Sequence, residues 1–218
     1  MPLDTVDARQ AALTATLKVL ARWVPQKRHD VLGACSPISL HLSVLGVKAA
    51  KSPLTAADIN PFIDRAKANI KNVVRQLDGI LLLQRQDRRP VIAVSDVIEA
   101  VADSMRTLFR SVDCEPVEDA ALLGTDSEYD LTMAVSAAVM ALYDTHGLNM
   151  ALNIAVQRIE DQLHYTLSVA PVADADWVAS HEEIPSAQRI AISEAGHLAE
   201  HLDFGFTATE NAITLRRA

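Results

Sequence analysis

The chain has 218 residues, half of them hydrophobic, which is enough for one large domain or two small ones with real cores. Its net charge of −8 is unevenly spread: up to Pro90 there are 14 Lys and Arg against 7 Asp and Glu, and beyond it 6 against 21. With no lysine after Lys71, the acidic second half excludes a nucleic-acid-binding patch there and offers little to balance a triphosphate.

The N-terminal stretch "MPLDTVDARQAALTATLKVLARW" carries charges throughout, unlike a signal peptide, and no run approaches the roughly 18 apolar residues of a membrane span. A soluble, cytoplasmic protein with no membrane contact is the expectation. Cys35 and Cys114 are too few for a disulfide scaffold and lack zinc-ligand spacing, so both are expected as buried thiols in a reducing compartment. The seven glycines are scattered and assemble no phosphate-binding loop.

In steps of seven, Leu17, Val24, Val31, Ile38 and Leu45 are all apolar, with Leu13 and Leu20 in a companion row, a coiled-coil-like seam. A second seam runs through Ile59, Ile63, Ala66, Ile70, Val73, Leu77 and Ile80. Between them, "AKSPLTAAD" supplies Pro53 to end the first helix and Thr55 to Asp58 at capping-box spacing to start the second. The expectation is an antiparallel hairpin over residues 1–86, closing as a homodimer into a four-helix bundle. Pro25 and Pro37 predict kinks in its first helix.

Within that helix, "KRHDVLGACSPISLHLSVLG" places His29 about 200° round from the seam residue Val31, on the outer face. His41, three after Ile38 and four before Leu45, falls near the seam as a packed histidine. Lys27 and Arg28 precede His29 and Asp30 follows it. A carboxylate can hold one ring nitrogen protonated and leave the other nucleophilic, with cations nearby for phosphate oxygens.

This stretch resembles the dimerisation and phosphoacceptor domain of two-component histidine kinases, in its His-Asp variety. Its proline stands at Pro37, eight residues after the histidine, where many members place it five after.

Beyond the linker "QRQDRRP", the pattern predicts a helix near residues 95–109, a strand near 111–117 and a helix near 130–145. Two strands joined near Glu160 and Asp161 follow, then a helix and a final hairpin. The fold class is α+β: the hairpin, followed over residues 91–218 by an α/β sandwich with helices on one face of a mixed sheet. That order resembles the ATP-binding domain of the same kinases, without its motifs. Where the family carries asparagines that hold the magnesium of ATP, this chain has Ser136 and Met140, and a thioether is no ligand for Mg²⁺. The glycine-rich lid is missing, and Asp174 and Asp176 are the only candidate survivors of the adenine loop.

The resemblance therefore implies a histidine phosphotransferase that binds neither ATP nor any cofactor or metal of its own. His29 would be the phosphoacceptor, Asp30 would orient it, and Lys27 and Arg28 would meet the phosphoryl group or partner. Its partners would be receiver domains of response regulators, which bring the Mg²⁺. The alternative is a catalytically silent adaptor that binds a regulator or a kinase. Among the other histidines, His197 and His201 share metal-like spacing, but Leu198 stands where a HExxH motif needs glutamate.

Overall fold

The computed structural model describes residues 3–84, 93–106, 108–115, 127–147, 149–160, 162–172 and 184–217. They form two compact units, one of residues 1–22 with 87–218 and one of residues 23–86.

The smaller unit is the hairpin. Its first helix, α1 (Leu3–Lys51), begins in the other unit and continues unbroken through Pro25 and Pro37. Residue 33, whose carbonyl Pro37 would crowd, is a glycine with open space where a Cβ would stand. The second helix, α2 (Ala56–Gln84), starts at the expected cap. The Asp58 N–H donates to Thr55 Oγ1 at 3.3 Å while Asp58 Oδ2 accepts from the Thr55 N–H at 3.1 Å and its hydroxyl at 2.6 Å. Both orphan donors of the turn are thereby satisfied. Between the helices the His41 ring meets the edge of Phe62 at 5.8 Å, and the Lys48 ammonium lies 5.5 Å from the same ring.

The larger unit adds α3 (Val94–Met105), β1 (Ser111–Cys114), α4 (Glu128–His146), β2 (Met150–Ile159), β3 (Gln162–Pro171), a 3₁₀ turn (Ser186–Gln188), α5 (Ile192–His201), β4 (Phe204–Ala208) and β5 (Ala212–Arg217). The sheet order is β1-β2-β3-β5-β4, with β1 parallel to β2 and every other pair antiparallel. This is the mixed sheet expected. Alternation directs Leu152, Ile154, Tyr165, Leu167, Ile213 and Leu215 into the core and leaves Asn153, Thr166, Ser168 and Thr214 on the other face. The β2–β3 turn falls at Glu160, whose φ of 50° lies in the left-handed region.

α4 packs against α3 and α5 and over β3 and β5. It is buried from Tyr129 through Tyr143, which its small residues permit: four alanines and Ser136 let neighbours approach on every side. Ser127 caps it, accepting from the Asp130 N–H at 3.3 Å. At its other end Gly147, with φ 77°, lets its N–H donate back to the Tyr143 carbonyl at 2.8 Å.

Three expectations change. The start of α1, assigned above to the hairpin, packs within the larger unit, where Ala12, Ala15 and Val19 are fully buried. Neither cysteine is buried: Cys35 is half-buried and Cys114, ending a four-residue edge strand, is exposed. Finally, an 18-residue window of α1 reaches a mean hydropathy of 1.4, so this helix is by length and composition apolar enough to cross a membrane. Ser, Gly, Pro and His interrupt its apolar letters without adding charge, which is how a run broken to the eye passes that threshold.

Candidate functional site

His29 lies on the outer face of α1 with its side chain 83% exposed. Its Nδ1 is 3.7 Å from Asp30 Oδ1, a distance for charge attraction and beyond that of a hydrogen bond. Asp30 is partly sheltered and is held one turn back, where Gln26 Nε2 donates to the same oxygen at 3.2 Å. A carboxylate fixed beside Nδ1 favours the proton on that nitrogen, which leaves Nε2 with its lone pair facing solvent.

The two basic residues diverge. Arg28 is exposed, one position from the histidine. Lys27 is half-buried, with its ammonium 5.3 Å from the centre of the Trp23 ring. Two residues from His29 along a helix, it lies about 200° round the axis. Of the residues singled out in the sequence, the structure thus groups His29, Asp30 and Arg28 and directs Lys27 elsewhere. Gln26, which fixes Asp30, was missed, although its spacing of four before an aspartate is a helical hydrogen-bonding signal.

On the same outer face, Leu32, Leu40 and Val47 are exposed. Gly33, Ser36 and Ser43, also exposed, lie between them. The histidine therefore heads an apolar, uncharged strip.

In the larger unit Ser136 and Met140 are both enclosed, at 0% and 2% exposure. The Ser136 hydroxyl is buried and finds no partner among the described residues. Both side chains are therefore buried in the larger unit. Asp174 and Asp176 lie outside the described residues. Among the described residues no three His, Cys, Asp or Glu side chains are grouped as for a metal ion. His197 instead sits 4.0 Å from Glu200, one turn on.

Two ion pairs join α1 to the rest of the larger unit. Lys18 Nζ donates to both oxygens of Glu194 at 2.7 and 2.8 Å, and Arg22 Nη1 donates to Asp144 Oδ2 at 2.7 Å. The Asp144 oxygen also accepts the Ile190 N–H at 2.7 Å, and Glu194 Oε2 accepts the Ala191 N–H at 2.9 Å. Burial lowers the Arg22 pKa and raises that of Asp144, outweighing their mutual attraction. Burial also pushes Glu194 upward, but its bonds to Lys18 and Ala191 and the Lys18 charge together hold it below the ordinary carboxylate value.

No protein-family model matches the chain, and no curated protein does. Among solved structures, the chain is similar to one described as a bacterial phosphotransferase, with 13% identity, 92% of this chain and 95% of that one covered, and a TM-score of 0.39. It is also similar to a histidine kinase from Burkholderia phymatum, at 15% identity with 86% and 95% covered and a TM-score of 0.38. A histidine kinase of Acinetobacter baumannii matches at 10% identity, 84% and 95% coverage and a TM-score of 0.38.

Proposed function

We propose that the protein is a dimeric histidine phosphotransferase that carries phosphoryl groups between receiver domains of response regulators in the cytoplasm, without using ATP. The observation that carries this reading is the exposed His29 with Asp30 fixed beside its Nδ1. A symmetrically solvated histidine would have no preferred nucleophilic nitrogen, and a buried one would be out of a partner's reach.

In the forward step His29 Nε2 attacks the phosphorus of a receiver's aspartyl phosphate. The P–N bond forms as the P–O bond to the aspartate breaks, and the receiver's carboxylate departs with the electron pair. Asp30 stabilises the positive charge that develops on the ring. The receiver's own Mg²⁺ and the exposed Arg28 balance the charge on the phosphoryl oxygens. The return step onto a second receiver is the same reaction reversed. Leu32, Leu40 and Val47 supply an apolar strip beside the histidine, suited to a protein partner.

Supporting the dimer, α2 leaves Ile63, Ile70, Val74 and Leu77 exposed along one face, and α1 leaves Leu42. A second hairpin would bury that face in a four-helix bundle. The charged side chains of α2, among them Asp64, Arg65, Lys67 and Lys71, are exposed, which suits a protein partner and not a bilayer. Supporting a reaction without ATP, Ser136 and Met140 are enclosed where the family would need magnesium-binding amides at a surface.

The test is phosphotransfer from a panel of phosphorylated receivers, with Mg-ATP in parallel and His29→Ala as control. Label on the parent from a receiver, none from ATP and none on His29→Ala is the expected result. Label from ATP alone would overturn the reading in favour of a kinase. Receiver binding without label on either protein would favour a silent adaptor.

A further inference from the structure

Two consecutive backbone N–H groups lead into α5, and each is met by a carboxylate. The Ile190 N–H donates to Asp144 Oδ2 of α4 at 2.7 Å, and the Ala191 N–H donates to Glu194 Oε2 at 2.9 Å. Each carboxylate in turn holds a cation of α1: Arg22 Nη1 reaches Asp144 at 2.7 Å, and Lys18, one turn earlier, reaches both oxygens of Glu194. The exposed Arg189 acts on Asp144 through its charge as well.

Backbone N–H groups at the start of a helix, with an arginine and a lysine beside them, are the set of donors that binds phosphate groups. Their gathering here runs against the composition of this half of the chain, which holds 6 Lys and Arg against 21 Asp and Glu beyond Pro90. The donors are not fully used. Arg22 Nη2, on a side chain only 8% exposed, has no partner among the described residues, and neither has Asp144 Oδ1. A carboxylate set for the arginine alone would meet both prongs of its fork; Asp144 instead shares Oδ2 between Arg22 and the Ile190 N–H. Burial also raises the Asp144 pKa in spite of these donors, so the aspartate is a strained occupant of the place. Lys18 and Glu194, with side chains 17% and 22% exposed, keep the cluster within reach of solvent.

We propose that the start of α5 is a binding site for a phosphate-bearing anion, held closed by the chain's own Asp144 and Glu194. The two carboxylates take the N–H groups and cations that the anion would use, and α1 completes the closure by bringing Lys18 and Arg22. Ala12, Ala15 and Val19, buried in the same unit, hold those two cations in place. The site binds an anion without transferring a group, so it stands or falls apart from the phosphoryl chemistry of His29.

The test is calorimetry of the full chain with inorganic pyrophosphate, against sodium chloride at matched ionic strength. Glu194→Ala frees Lys18 and the Ala191 N–H and should bind pyrophosphate saturably, at least about tenfold more tightly than the parent. Adding Lys18→Met should abolish that binding. Asp144→Ala strands Arg22, and pyrophosphate should raise its urea midpoint where chloride does not, by binding the folded state. Equal binding by the parent and Glu194→Ala, or binding that survives Lys18→Met, would overturn the inference. So would a Glu194→Ala protein that binds no pyrophosphate together with an Asp144→Ala protein that gains no stability from it.

Discussion

Arg22 on α1 and Asp144 on α4 form an ion pair at 2.7 Å with their side chains 8% and 4% exposed. The pair fastens the start of α1 to the larger unit, and burial moves both groups toward their neutral forms, the charge of each opposing that shift. Arg22 Nη2 and Asp144 Oδ1 are both buried and lack partners among the described residues. Removing one member strands the other charge. Arg22→Met or Asp144→Leu should each cost about 3 kcal/mol in urea unfolding, and the double substitution should recover most of that loss. Equal and additive losses would mean that packing alone makes this contact.

The two pairs respond oppositely to acid. Glu194 is held low in the folded state, so its contribution is present above its unfolded value and is lost as the pH falls through the folded one. Asp144 is held high, so its contribution is full below its unfolded value and is lost as the pH rises through the folded one. Acidified from about pH 6 to about pH 3, Glu194→Gln should lose less stability than the parent and Asp144→Asn should lose more. Urea midpoints across that range give the answer, and identical slopes in all three proteins would contradict both assignments.

Asp30 is placed to orient His29 without bonding to it. Asp30→Asn should slow phosphotransfer from a receiver by about tenfold, ~1.4 kcal/mol in the barrier, while His29→Ala abolishes it. Because Asp30 takes its position from Gln26, Gln26→Ala should have a smaller effect in the same direction. Single-turnover rates with one phosphorylated receiver distinguish the three variants. An unchanged rate for Asp30→Asn would remove the aspartate from the mechanism.

Asparagines introduced into α4 should not create nucleotide binding. Met140 is 2% exposed, so Met140→Asn buries an amide and removes apolar contact, a loss of about 2 kcal/mol or more. Calorimetry with Mg-ATP should give no heat of binding for Met140→Asn, alone or with Ser136→Asn. Saturable binding by either variant would place a nucleotide site on this helix after all.

Ser127 accepts the Asp130 N–H at the start of the buried helix. Ser127→Ala should cost about 1 kcal/mol, measured by chemical denaturation, and Ser127→Asp should restore most of it. A neutral Ser127→Ala would show that the first turn of α4 is held by its packing and not by its cap.

Much of this molecule was legible along the chain because it depends on neighbours in sequence. The Thr55–Asp58 cap, the β2–β3 turn at Glu160 and the outward placement of His29 follow from spacing and local backbone geometry, which a linear pattern records directly. Other features required the third dimension. The heptad row predicted that Leu13 and Leu17 meet a partner, yet within one copy the helix turns its alanines inward, because small side chains allow the closest approach to the larger unit. Lys27 reads as a neighbour of His29, but the helical turn carries it toward Trp23. Arg22 and Asp144 are separated by 122 positions, and no local pattern pairs them. Sequence by itself determined the periodicities, the Thr55–Asp58 cap and the outward placement of His29 beside Asp30. Which face of each helix is buried, and which charges meet, was decided only by tertiary packing, since burial and ion pairing depend on through-space distance that the order of residues does not contain.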